Sequence, residues 1–87
     1  MMTFVLNGTE IGSRKELHEK LAEGLCLPEW YGANLDALYD CLTELEETTI
    51  RVTATEVLRG TLGGYAAGLF RVLREAAEDN PRLHVEM

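Results

Sequence analysis

The sequence predicts an α/β fold in which a small parallel sheet packs against helices, and three observations carry that expectation. Thr3–Leu6, Thr48–Thr53 and Arg82–Met87 are short stretches of the residue types that suit a pleated, half-buried surface. Between them run segments whose apolar residues recur at three- and four-residue spacing, the period of a helix with one buried face. Strands separated by helices need crossover connections, which parallel pairing accommodates. With only three strands the helices are expected to cover mainly one face. The order of the strands is not readable.

Taken in order, Thr3–Leu6 is the first strand, ended by Asn7-Gly8. Ser13 and Glu16 form a capping-box pattern that opens a helix with Leu17, Leu21 and Leu25 on one stripe and Ala22 alongside. His18 adjoins that stripe and is expected to bridge core and surface. Pro28 and Gly32 then keep the backbone irregular until Asn34, a good N-cap, where a second helical period begins. Thr48–Thr53 is the second strand and flows into a short helical turn around Glu56–Arg59. Gly60, Gly63 and Gly64 break the chain. Gly64–Asp79 is a long helix with Tyr65, Leu69, Val72, Leu73 and Ala76 on one face, stopped by Asn80-Pro81 before the third strand. Residues 1–87 are expected to form one domain, without repeat or linker.

The stretch Leu27–Thr43, LPEWYGANLDALYDCLT, is where chemistry concentrates. On the helix that follows Asn34, Leu38, Cys41, Leu42 and Leu45 make a stripe with Leu35 at its edge. Asp36 and Asp40 lie nearly opposite that stripe. Tyr39 sits between the two faces, and Trp30 and Tyr31 lie in the loop that feeds the helix. Two readings stay open on the residues alone. Asp36 at the second helical position complements the helix dipole by about 0.3–1 kcal/mol, Tyr31 and Tyr39 can be half-buried core aromatics, and Trp30 can lid the core. Alternatively these residues form a solvent-facing ridge of two carboxylates bordered by aromatics. Asp40 favours the ridge, because it lies beyond the dipole's reach and repels Asp36 with no Lys or Arg four residues from either.

Composition narrows the function. The chain has 87 residues, 46% hydrophobic content and a net charge of −7, with a pI near 4.7. Phosphate binding needs a basic patch, so nucleic acid is not an expected partner; a basic protein is. No apolar run approaches the length of a membrane span and no charged leader precedes a hydrophobic segment, so a cytoplasmic location is expected. Cys26 and Cys41, with His18 and His84, have no metal-ligand spacing, and both thiols are expected to be reduced and mostly buried. No cofactor or metal is expected. Nor is an enzyme: the two carboxylates lack the burial that would set their pKa values apart, no nucleophile–base pair stands out, and Gly63-Gly64 lacks the Lys and Ser/Thr of a phosphate loop.

The run LPEWYGANLDALYDCLT closely resembles the signature of the barstar family: Leu-Pro, an aromatic pair, Gly, Asn, Leu-Asp-Ala-Leu, an aromatic, Asp, a small residue, then Leu. The resemblance extends more weakly along nearly the whole chain. It implies a two-layer α/β fold with a three-stranded parallel sheet. It also implies an intracellular inhibitor, monomeric when free, that plugs the active site of a secreted, guanyl-specific, barnase-like ribonuclease. Carried over by position, Asp40 would occupy the enzyme's phosphate subsite and Asp36 would contact neighbouring cations. Trp30 and Tyr39 match aromatic contact positions, with Tyr31 beside Trp30 in the loop; Gly32, Asn34, Leu35 and Thr43 match lesser ones, and Glu75 matches an outlying acidic contact. Three departures stand out. The family's Tyr-then-Trp order is reversed at Trp30 and Tyr39, Leu45 replaces a Trp of the best-known member, and the segment before the last helix is shorter. They leave a second possibility, a module of the same fold that binds a different basic protein.

Overall fold

Strand β2 (Thr48–Thr53) runs through the middle of the molecule. It is β-branched at every position but Arg51, which suits a strand flanked on both sides. The structure, a computed structural model, describes residues 1–87. In it β2 lies between β1 (Met2–Asn7) and β3 (Leu83–Glu86) in a parallel sheet ordered β1-β2-β3. Met2 is level with Thr48 and Leu6 with Val52 on one side; Thr48 is level with Leu83 and Arg51 with Glu86 on the other. The predicted α/β class and parallel sheet are present, and the strand order follows the chain.

Alternation sorts the two faces of the sheet. Leu6, Ile50, Val52 and Leu83 are buried in the core, while Thr3, Val5, Arg51, Thr53, His84 and Glu86 are exposed on the opposite face. Thr49 is the exception on that open face. It lies level with Thr3 and His84, whose side chains flank it and bury it. The open face also carries Arg51 Nε on Glu86 Oε1 at 2.9 Å, an exposed pair that adds little stability.

The helices cover the core face. α1 (Arg14–Gly24) starts as its capping pattern predicts: Ser13 Oγ accepts from the Glu16 N–H at 3.1 Å. The Glu16 carboxylate reaches one residue further back than in the usual box and accepts from the Gly12 N–H at 3.0 Å. Leu17, Leu21 and Leu25 are buried. α1 ends against β1 so closely that a Cβ on Gly24 would lie 2.1 Å from the Phe4 ring.

α2 (Leu35–Thr43) and α4 (Gly64–Asp79) pack against each other, with α4 also on β3. The short turn expected at Glu56–Arg59 is a full helix, α3 (Thr55–Leu62). Burial of Leu58 and Leu62 against the core carries it through Gly60, which faces open space. An exposed interior glycine costs about 1 kcal/mol, less than burying those two leucines returns. The break falls instead at Gly63, whose φ of 58° and ψ of −136° suit glycine alone.

Asn80 stops α4 as expected, and its buried side chain does more. Its Nδ2 donates to the carbonyls of Leu42 at 2.9 Å and Leu45 at 3.0 Å, while its Oδ1 accepts from the Arg82 N–H at 3.0 Å. One amide thus satisfies carbonyls at the end of α2 and the turn into β3. No helix is long and apolar enough to cross a membrane.

Candidate functional site

The site is built on α2. Asn34 caps it: Oδ1 accepts from the Ala37 N–H at 2.8 Å and Nδ2 donates to the Gly32 carbonyl at 3.2 Å. Leu38, Cys41 and Leu42 are buried, and Leu35 and Leu45 pack at the edge of the core. With that stripe held down, Asp36 and Asp40 face solvent, and neither is in an ion pair. Thr43, half-buried, donates from its hydroxyl to the Asp40 carbonyl at 2.9 Å.

Helix α4 completes the acidic surface. Gly68 lets the two helices approach, since a Cβ there would lie 2.9 Å from Leu35 Cδ1. Between them runs an open groove of about 320 Å³ lined by Asp36, Tyr39, Asp40, Val72 and Glu75. Glu75, distant in sequence, therefore shares one surface with both aspartates, and no Lys or Arg lines it. The Tyr39 hydroxyl donates to the Asp79 carboxylate. That hydrogen bond, followed by burial and by the nearby carboxylates, holds the Tyr39 phenol above its ordinary pKa. Asp79 was not singled out from the sequence. It lies four residues after Glu75 and so on the same helical face, but its meeting with Tyr39 depends on how α2 and α4 pack.

The feeding loop splits its two aromatics. Trp30 is 70% exposed, so it does not lid the core. It borders a shallow depression with Leu27, Pro28 and Leu45. Tyr31 is half-buried and turned inward, its hydroxyl 2.5 Å from His18 Nδ1. Gly32 and Asn34 are exposed, and a Cβ on Gly32 would crowd the Asn34 amide at 3.2 Å. Asp36, Tyr39, Asp40 and Glu75 thus share one groove, supported by Leu35 against Gly68 and by Thr43 on the Asp40 carbonyl. Trp30 borders the separate depression beside Leu45, and Asn34 lines the one that contains Tyr31 and His18. His18, expected at the boundary of core and surface, is buried.

One expectation is overturned. Cys41 is buried as predicted, and burial, then Glu44 and Asp40, push its thiol pKa up. Cys26 is exposed. The chain leaves α1 with Leu25 buried, and Cys26 follows in the left-handed region at φ 53°, which turns its side chain outward. A thiol reagent added to native protein is therefore expected to label Cys26 promptly and Cys41 only on unfolding. Equal labelling of both under native conditions would contradict this burial.

Fold and site together define a class: a small two-layer α/β domain offering a preformed acidic helix edged by aromatics. Over residues 1–87 the chain matches the family described as Barstar (barnase inhibitor), and it belongs to that family. It is 35% identical over 81 residues to a Bacillus subtilis (strain 168) protein named "Putative ribonuclease inhibitor YrdF", across 91% of this chain and 89% of that protein.

Proposed function

We propose that this chain inhibits a secreted, guanyl-specific, barnase-like ribonuclease by seating α2 and its aromatic loop in the enzyme's active site. The observation that carries the reading is the groove where Asp36, Asp40 and Glu75 converge around Tyr39 without a cation among its lining residues. A ribonuclease active site gathers cationic groups around the scissile phosphate. Carboxylates fixed on a helix replace that phosphate with charge-assisted hydrogen bonds. Asp40 takes the phosphate subsite, Asp36 and Glu75 meet cations around it, and Trp30 with Tyr39 covers apolar surface at the rim. The chain binds rather than catalyses, and it acts inside the producing cell before the enzyme is exported. Membership of the barstar family supports this reading.

The test is to titrate such a ribonuclease with the protein and follow residual activity, then measure the association rate across salt concentrations. One-to-one inhibition is expected, with association fast at low salt and slower as the Debye length falls to about 8–10 Å near physiological ionic strength. Absence of inhibition at equimolar protein would sink the proposal. The reversed aromatics at Trp30 and Tyr39 favour a second reading in that event, a different basic partner on the same surface.

A further inference from the structure

The largest depression on the molecule is not the acidic groove. It lies on the other side of the loop, between α1 and the start of α4, has a volume of about 690 Å³, and includes His18, Tyr31 and Tyr65 in its lining. His18 is 4% exposed and uses both ring nitrogens. Nδ1 is 2.5 Å from the Tyr31 hydroxyl and Nε2 is 2.6 Å from the Tyr65 hydroxyl. A neutral imidazole has one N–H and one bare nitrogen, so one tyrosine donates to it and the other accepts. The Arg14 guanidinium lies 4.2 Å above the Tyr65 ring and holds it from outside.

This relay spans three separate elements: α1, the feeding loop and α4. The loop needs such a tie. It is bracketed by two non-glycine residues in the left-handed region, Cys26 at φ 53° and Ala33 at φ 52°. That is a backbone state most side chains avoid. Its own backbone contributes Leu27 N–H to Ala22 O and Tyr31 N–H to Pro28 O, each at 2.9 Å. Tyr31 to His18 is the one side-chain hydrogen bond from the loop to a distant element. Trp30, the exposed aromatic of the site, is the adjacent residue.

We infer that His18 and Tyr65 are positioning residues for the binding surface: the Tyr65–His18–Tyr31 relay clamps the loop so that Trp30 is held ready for a partner. The inference deepens the inhibitor reading and rests on it for the identity of that partner. A loop held in its bound form avoids the ordering cost of association. The hydrogen bonds themselves tolerate a charged ring, since an imidazolium can donate to both hydroxyls; it is burial at 4% exposure that opposes the charge. The His18 nitrogens face Tyr31 from the loop and Tyr65 from α4; Arg14, Lys15 and Glu19 of α1 share the depression, and Cys41 of α2 influences Tyr31. Burial holds the His18 pKa below its ordinary value. An exposed imidazole takes a proton at about 6.5, so as pH falls below that value protonation favours any opening that frees the ring.

Tyr65→Phe removes one hydroxyl and keeps the ring beneath Arg14. Amide hydrogen exchange on this variant is expected to accelerate at Tyr31 by about fivefold more than at Ile50 and Val52 of β2, the loss of one hydrogen bond acting on the loop alone. Equal acceleration at both places, or none at Tyr31, would overturn the clamp and leave a merely structural histidine. Trp30 is the sole tryptophan, so its fluorescence anisotropy reports the loop without interference. It should fall in the parent only as pH drops well below the ordinary imidazole value of about 6.5, toward the lowered pKa of the buried ring, and stay flat in His18→Gln, which cannot titrate; a fall in that variant matching the parent's argues against the relay. Both measurements are made without ribonuclease, so they stand apart from the inhibitor proposal, which fails on its own if the parent does not inhibit. If the parent inhibits and Tyr65→Phe loosens the loop yet inhibits equally well, the positioning role is wrong.

Discussion

Replacing Asp40 with alanine is expected to leave the denaturant midpoint unchanged or slightly raised while weakening inhibition by about 2–5 kcal/mol or more, mainly through faster dissociation. The stability half follows from the free protein. Asp40 is exposed, forms no ion pair, and lies one helical turn from Asp36, so its removal relieves a like-charge contact of a few tenths of a kcal/mol. The binding half follows from the proposed function. Truncating one side of a buried charge pair leaves the enzyme's cations dry and unpaired, which accounts for most of the loss. The quoted range draws on the barnase–barstar complex, within this same family. Asp36→Ala should act in the same direction but less, and Glu75→Ala less again. An Asp40→Ala protein that unfolds at lower denaturant yet inhibits as well as the parent would make Asp40 structural and end the phosphate-replacement mechanism.

Leu38→Ala, two residues away on the opposite face of α2, should give the reverse result. Leu38 is fully buried, and removing a leucine's buried methyl groups costs about 2–5 kcal/mol in lost burial and residual cavity. For a domain of this size that is a large share of a total stability of about 5–15 kcal/mol. The carboxylates of the ridge are untouched, so the folded fraction should inhibit normally. Saturating ribonuclease should recover much of the lost midpoint by mass action. The check is a pair of denaturation curves with and without enzyme. A midpoint equal to the parent's in the absence of enzyme would show that α2 is not anchored through this side chain. The two variants together separate the face that holds the helix from the face offered to the partner.

Much of the fold could be read from local signals. The limits of β2 and α4 fall where β-branched composition, apolar period and the Asn80-Pro81 stop place them. The caps at Ser13 and Asn34 are formed as their residue types predict. These features act within one or two turns, and short-range chemistry decides them. Elsewhere local signals pointed the wrong way. Gly60 argued against a helix that the burial of Leu58 and Leu62 nevertheless sustains. Cys26 was expected to be mostly buried, but its left-handed backbone follows the buried Leu25 and turns the side chain to solvent.

For the site, the sequence by itself determined the acidic, aromatic-edged helix. Asn34 starts it, Leu38, Cys41 and Leu42 bury one side, and the helical period then leaves Asp36 and Asp40 exposed on the other. Only the tertiary structure decided what surrounds it. Glu75 and Asp79 join the ridge because α4 packs beside α2, across 40 residues of chain in the Tyr39–Asp79 bond. Tyr31 turns away from that surface because His18, 13 residues earlier, meets its hydroxyl and is itself met by Tyr65, 47 residues further along the chain from His18. Such meetings depend on which buried faces pack together. Residue spacing along one element carries no record of that choice, because the apolar contacts that settle it have no preferred partner until the whole core forms.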